Sequence, residues 1–189
     1  MGKILITGTG RSGTSFLVHL LSALGMDTGY TEDECFKICN NACRAGAEHT
    51  IEKPYSIIKN PNFMLEIEEI VANYEIDHVI IPIRKLEDVA KSRKNNADNH
   101  GGFGGFTFGA ESYDEQVEMN SYYFFRMIEV LTKNDIPYTT ISFPRMVEDS
   151  LYCLHKLDLC FKPYEKVING TTFFDIHKRI ANTDKITIK

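Results

Sequence analysis

Short apolar runs alternate with longer amphipathic segments along most of the chain. The apolar runs, which are typical of buried parallel strands, occupy residues 4–6, 55–59, 78–83 and 137–143. Apolar residues at helical intervals lie between and after them, in residues 16–24, 62–74, 86–90, 113–133 and 147–157. This alternation predicts an α/β fold with a central parallel sheet and helices on both faces. Pro82 lies in the third run, so we expect it at a strand end or a local break.

A glycine-rich turn separates the first apolar run from the first amphipathic segment. Gly8-x-x-x-x-Gly13-Thr14-Ser15 has the spacing of a phosphate-binding P-loop, in which backbone N–H groups and the helix dipole hold an anion. Thr14 occupies the place of the usual lysine, and Arg11 inside the loop supplies a cation instead. The sequence therefore predicts a three-layer P-loop fold with an anion site at this turn. The alternative is a strand-to-helix turn that needs glycine for structural reasons alone.

Two further cations follow predicted strands. Lys59 ends the second apolar run and Arg84 ends the third. Because ligands bind at the carboxyl ends of parallel strands, we expect both to lie on the same edge of the sheet as the glycine loop. The alternatives are a solvated lysine at a strand end and, for Arg84 with Ser92, an ordinary pair on a helix face.

Composition narrows the possible functions. The chain has 189 residues, which suggests one domain, and its formal net charge of −5 argues against a general nucleic-acid binder. No segment is apolar for long enough to span a membrane, and a strand begins almost at once, which leaves no room for a signal peptide. The odd count of five cysteines suggests reduced thiols, so we expect a cytoplasmic protein. The oligomeric state stays open.

Three segments have less regular patterns. Residues 95–111 contain five glycines and three phenylalanines without a helical or strand period, and they are interpreted as a mobile loop, either a lid or simply disordered. Residues 161–189 are interpreted as a C-terminal extension. Cys35, Cys39 and Cys43 would share one stripe of a helix, which favours three thiols facing a core over a metal site.

Taken together, these motifs resemble those of the PAPS-dependent sulfotransferases, in particular the bacterial members. The resemblance covers most of the chain up to about residue 160, and it makes residues 1–189 a single sulfotransferase-like P-loop domain. The family's first motif matches Arg11-Ser12-Gly13-Thr14-Ser15-Phe16, and its strand arginine with a serine eight residues later matches Arg84 and Ser92. Lys59-Asn60-Pro61 matches the bacterial Lys-x-Pro, and residues 142–149 match a late strand–acid pattern.

The resemblance implies a function and a cofactor. The enzyme would move a sulfuryl group from 3′-phosphoadenosine 5′-phosphosulfate (PAPS) to a hydroxyl or amine of a small-molecule or glycan acceptor, leaving PAP. The loop would hold the 5′-phosphosulfate, and Arg84 with Ser92 would hold the 3′-phosphate. The cofactor-binding residues implied are Gly10, Arg11, Ser12, Gly13, Thr14, Ser15, Arg84 and Ser92.

Three residues are implied in catalysis. Arg11 would stabilise charge on the leaving phosphate, and Lys59 would contact the bridging oxygen or the moving group. The general base would be a glutamate in the window 32–34, of which Glu34 is the choice, with Glu48 and His49 further on. No metal is expected.

The sequence departs from the family at several points. Lys85-Leu86 replaces a common Asp-Pro, Pro61 occupies the place of the histidine of eukaryotic cytosolic members, and their C-terminal cofactor loop has no clear counterpart. A P-loop kinase or NTPase is one alternative, although it needs a lysine where Thr14 lies. A nucleotide-binding protein without catalysis is the other.

Overall fold

The computed structural model describes residues 2–41, 46–100, 109–161 and 170–184. The strands are β1 Lys3–Ile6, β2 Ile57–Lys59, β3 Ile76–Ile83 and β4 Tyr138–Ser142. The helices are α1 Thr14–Ala23, α2 Glu32–Asn41, α3 Phe63–Asn73, α4 Leu86–His100, α5 Tyr113–Lys133, α6 Arg145–Glu148, α7 Ser150–Phe161 and α8 Gly170–Asp184.

The four strands form one parallel sheet in the order β2-β1-β3-β4. The register pairs Ile6 with Lys59 on one side and with Ile80 on the other, and Ile80 pairs in turn with Thr139. The predicted α/β architecture, with a central parallel sheet flanked by helices, is therefore confirmed. The chain runs outward from β1 to β2, then returns past β1 to β3 and β4, so it reverses its direction across the sheet between β1 and β3.

The two faces of the sheet carry separate parts of the core. Ile4 and Ile6 of β1 belong to a cluster with α1, α7 and α8, whereas Leu5 belongs to a cluster with α3 and α5. Successive side chains of a strand point to opposite faces, so strands buried on both faces read as unbroken apolar runs. This explains why the runs of the sequence located the strands.

Pro82 is the second-last residue of β3, which agrees with the expectation of a strand end, and the strand is not interrupted there. It pairs with Ile141 of β4. The amide of Thr7 donates to the carbonyl of Ile80, so the backbone polar groups of Ile80 point toward β1. Pro82 lies two residues further along the strand, so its backbone nitrogen points to the same side. Strand β1 has already ended at this level, so no ladder bond is lost at the missing N–H.

Two of the irregular segments contain more structure than predicted. Helix α4 continues through His100, so the first six residues of the predicted loop 95–111 are helical; residues 101–108 lie outside the described residues. In the predicted extension 161–189, α8 packs on α1 and contributes Phe173, Ile180 and Ala181 to the core. Residues 162–169 and 185–189 are not described. The C-terminal helix is thus part of the core.

The cysteine stripe can be followed only in part. Cys35 is fully buried in the cluster that contains α1, as the core interpretation predicts. The side chain of Cys39 and all of Cys43 lie outside the described residues. Cys153 and Cys160 are also buried, and burial raises their pKa values to about 12 and about 11, so both thiols stay protonated at neutral pH.

The core role of α8 can be tested with two neighbouring phenylalanines. Phe173 is 0% exposed and Phe174 is 38% exposed. We expect Phe173→Ala to lower the free energy of unfolding by about 3–5 kcal/mol, because a large buried side chain leaves a cavity, and Phe174→Ala to lower it much less. Urea denaturation followed by circular dichroism measures both. Equal, small losses would mean that α8 is a dispensable extension.

Candidate functional site

The glycine loop, residues 7–13, connects β1 to α1 at the carboxyl edge of the sheet. It takes left-handed backbone at Gly8 (φ 145°), Gly10 (65°), Arg11 (51°) and Gly13 (101°). Three of these positions are glycine, which adopts such angles without strain, whereas Arg11 does so at a cost. The predicted Gly8-to-Gly13 spacing therefore corresponds to a sharply folded turn at the start of a helix.

The first turn of α1 has no side-chain cap. Gly13 is its N-cap residue and has no side-chain oxygen to accept hydrogen bonds from the free N–H groups of the first turn. Ser12 is 0% exposed, and its Oγ has no hydrogen-bond partner among the described residues. A loop with unsatisfied donors at a helix N-terminus fits an oxyanion, which accepts hydrogen bonds and meets the positive end of the dipole.

Gly13 is also required by packing. A Cβ on Gly13 would lie 2.7 Å from Cδ2 of Phe143 and would collide with Cε of Met146. Both neighbours come from the segment after β4, within residues 142–149. The end of β4 and the start of α6 therefore press directly on the loop.

Two of the three cations of the resemblance, Arg11 and Arg84, are in contact. Nε of Arg11 donates to Oγ of Ser92 at 3.2 Å, and Nη1 of Arg84 donates to the carbonyl oxygen of Arg11 at 3.2 Å. The guanidinium of Arg84 also lies 5.1 Å from the centre of the Phe143 ring. The loop, the end of β3 and helix α4 are thus joined at Arg11. The edge argument predicted that the loop and Arg84 lie together, and the contact with α4 is an additional finding.

A third guanidinium, which the sequence analysis missed, belongs to this group. Nη2 of Arg93 donates to the carbonyl oxygen of Thr9 at 2.9 Å, and a Cβ on Gly10 would lie only 2.7 Å from the same nitrogen. Nε of Arg93 is buried without a hydrogen-bond partner in the described part of the chain. Its position directly after Ser92 was the only signal in the sequence.

Burial lowers the pKa values of two of these arginines. Burial lowers the pKa of Arg84, and the nearby Asp88 opposes the change. Burial, with a smaller contribution from the positive charge of Arg11, lowers the pKa of Arg93 to about 10. Arginine side chains are cationic at neutral pH, so the site carries a concentrated positive charge in a protein whose net charge is −5.

Lys59 lies at the same edge, but it is buried and paired. It is 2% exposed, its Nζ donates to the carbonyl oxygen of Gly46 at 2.7 Å, and it forms an ion pair with Glu48. The side chain of Glu48 is 38% exposed. The alternative of a solvated lysine at the strand end is therefore wrong, and Glu48 is brought beside a residue that the sequence placed in the site.

Glu34 has a structural partner. Its carboxylate accepts hydrogen bonds from the backbone N–H and the hydroxyl of Thr31, both at 2.8 Å, while the hydroxyl of Thr31 accepts from the amide of Glu34 at 3.3 Å. This is a capping box at the start of α2. Hydrogen bonds from Thr31 hold the pKa of Glu34 below its ordinary value, which favours the ionised cap and makes the carboxylate a weaker base.

His49 is enclosed by aromatic rings. Its ring stacks on Tyr30 at 4.5 Å and packs at 4.8 Å against Tyr55. Burial, assisted by Lys53, lowers its pKa, so the ring is neutral near pH 7. Since a Cβ on Gly29 would lie 2.7 Å from Nε2, that nitrogen faces the backbone of a neighbouring turn.

Comparison of the chain with known proteins identifies no family. No family model matches the chain, and neither a curated protein nor a solved structure matches it. Within the described residues, no group of three or more His, Cys, Asp and Glu side chains is arranged to hold a metal, and no helix is both long and apolar enough to cross a membrane.

The packing requirement at Gly13 is testable against a matched glycine. Gly25 has a similar left-handed backbone (φ 73°) with open space around it. We expect Gly25→Ala to lower the free energy of unfolding by about 1–2 kcal/mol through backbone strain alone. Gly13→Ala should cost about 1–3 kcal/mol more, because the methyl group collides with Phe143 and Met146. Chemical denaturation of both variants measures the difference, and equal losses would contradict a tight contact.

Proposed function

We propose that the protein is a P-loop-type sulfotransferase that moves a sulfuryl group from PAPS to a hydroxyl or amine acceptor. The observation that carries the proposal is the hydrogen bond between Arg11 and Ser92, residues 81 positions apart. One belongs to the glycine loop and the other to the strand–helix motif, which are the two cofactor-binding motifs of the family that the sequence resembles. Arg84 supports it by donating to the carbonyl of the same Arg11.

Each residue then has a role. The loop would hold the 5′-phosphosulfate of PAPS through its N–H groups, with Arg11 stabilising the charge that develops on the departing phosphate. Arg84 and Ser92 would hold the 3′-phosphate. The acceptor atom would form a bond to sulfur, the bond from sulfur to the phosphate oxygen would break, and PAP would leave with that electron pair. The loop residues involved are Gly10, Arg11, Ser12, Gly13, Thr14 and Ser15.

The acceptor proton needs a base, for which two carboxylates compete. Glu34 fits the family's spacing, but its carboxylate accepts two hydrogen bonds in the cap of α2. Glu48 is partly exposed and forms an ion pair with Lys59. Lys59 lies two residues before Pro61, and Pro61 is close to Gly10 of the loop. We therefore assign the base to Glu48, with Lys59 holding its carboxylate in position.

The kinase alternative has less support. A P-loop kinase uses a lysine beside the loop hydroxyl and an acid near a strand end to hold Mg²⁺. Thr14 occupies the first position, and β3 is followed by Arg84. Three arginines near the loop favour a ligand that needs no metal to balance its charge.

Titration with PAP tests the donor assignment. We expect calorimetry to give a micromolar dissociation constant for PAP and no signal for ATP with magnesium. Arg84→Ala should weaken PAP binding by about tenfold or more, because it removes a charge-assisted hydrogen bond to phosphate. Magnesium-dependent binding of ATP without binding of PAP would overturn the proposal and favour the kinase.

Transfer from radiolabelled PAPS to a mixture of alcohols, phenols, sugars and amines tests the base. We expect Glu48→Gln to slow turnover by about 10²–10⁴-fold, the usual contribution of a general base, with PAP affinity nearly unchanged. Glu34→Gln should leave turnover within about threefold, since glutamine also completes a capping box. The reverse pattern would return the base to Glu34. PAP binding without transfer to any acceptor would favour the non-catalytic alternative.

A further inference from the structure

Arg93 belongs to neither motif of the proposed cofactor site, yet its hydrogen bond to the loop (2.9 Å) is shorter than that of Arg84 (3.2 Å). Its guanidinium lies against the backbone of Thr9 and Gly10. One nitrogen, Nη2, satisfies the Thr9 carbonyl. A contact that only fixed the loop would be complete at that point.

The rest of the guanidinium is costly to keep where it is. Nε is buried and lacks a partner among the described residues, and no carboxylate in that part of the chain forms an ion pair with Arg93. The strongest charge acting on it is that of another arginine, Arg11. A buried cation usually has an acid beside it, because desolvation otherwise outweighs what the contact contributes.

Ser12, in the glycine loop, also has a buried polar atom without a hydrogen-bond partner among the described residues. Ser12 is fully buried, and this atom is its Oγ. A Cβ on Gly8 would lie 3.8 Å from this oxygen, so it lies within the turn itself. The glycine loop therefore has buried donors on the loop and on α4, with positive charge from both elements.

We propose that Arg93 is an anion-binding residue, and that its guanidinium, which lies on Thr9 and Gly10, donates to an oxygen of the oxyanion held by the glycine loop. With Arg11 it makes the loop select a group with at least two negative charges, such as a diphosphate or a phosphosulfate, over a single monoanion. The inference deepens the proposed function but requires only that the loop binds an oxyanion, whether or not PAPS is the donor.

Two substitutions and one control separate charge from hydrogen bonding. Arg93→Met removes both, and Arg93→Lys keeps the charge but removes the Nε donor and the planar fork. Lys91→Gln is the control, because Lys91 is an exposed cation on the same helix, and its loss changes the net charge equally. Inorganic pyrophosphate, sulfate and PAP are titrated into each protein by calorimetry at one fixed ionic strength.

We expect pyrophosphate to bind the wild-type protein more tightly than sulfate does. Arg93→Met and Arg93→Lys should each weaken pyrophosphate binding by about tenfold to a hundredfold, and Lys91→Gln by less than about twofold. Pyrophosphate binding that is unchanged in both Arg93 variants overturns the proposal, as does equal affinity of the wild-type protein for pyrophosphate and sulfate.

Thermal unfolding without ligand provides the readout that a structural role would not give. If Arg93 serves a ligand, Arg93→Met loses the hydrogen bond to Thr9 but also removes a buried, unpartnered donor and its repulsion with Arg11, so these effects should offset each other and the Tm should change little. Pyrophosphate should then raise the Tm of the wild-type protein far more than that of the variant. A lower Tm with an undiminished response to pyrophosphate would show that Arg93 only supports the loop.

The two proposals fail separately. Pyrophosphate binding that depends on Arg93, without PAP binding, removes the sulfuryl donor and keeps the anion site. PAP binding that is indifferent to Arg93 but lost in Arg84→Ala keeps the donor and overturns the role of Arg93. If neither probe binds, the glycine loop is a structural turn and both proposals are wrong.

Discussion

In a parallel sheet every strand ends at the same edge, and this constraint determines which residues of the chain can meet. Here the chain reverses its direction across the sheet between β1 and β3, the kind of position where open α/β sheets form a crevice. The glycine loop leaves β1 at that point, and Arg84 follows β3 there. Helix α4 then runs past the loop, and its residues Ser92 and Arg93 form hydrogen bonds directly with the loop.

The cations at the sheet edge have two different kinds of partner. Lys59 is buried against a carboxylate, that of Glu48, so its charge is balanced within the protein. Arg84 and Arg93 instead donate to backbone carbonyls of the loop, at Arg11 and Thr9. A carbonyl satisfies a hydrogen bond but does not cancel a full charge. Asp88 lies near Arg84, but no ion pair is formed with either arginine among the described residues, so the loop side keeps a positive potential, which is what an anion site requires in a protein that is acidic as a whole.

The sequence predicted the parts of this arrangement that depend on local pattern. Apolar runs located the four strands, and the edge rule brought together the loop, Lys59 and Arg84. The sequence also contains a signal for the structural role of Glu34 that was overlooked: Thr31-x-x-Glu34 is the pattern of a capping box. The positions of Arg93 and Glu48 depend instead on tertiary contacts, namely the way α4 lies on the loop and the way the chain before β2 covers Lys59. No local period encodes such contacts.

The loop and the strand–helix motif also depend on each other energetically. Arg11 is held at φ 51°, a conformation that costs a non-glycine residue free energy and persists only where its surroundings fix it. Its carbonyl is held by Arg84 and its side chain by Ser92, so both ends of the strained residue are fixed by the second motif. The geometry of the loop is consequently set by residues more than seventy positions away. A pair of motifs that looks like two separate signals in the sequence is therefore one structural unit, in which the strain at Arg11 is balanced by its bonds to Arg84 and Ser92.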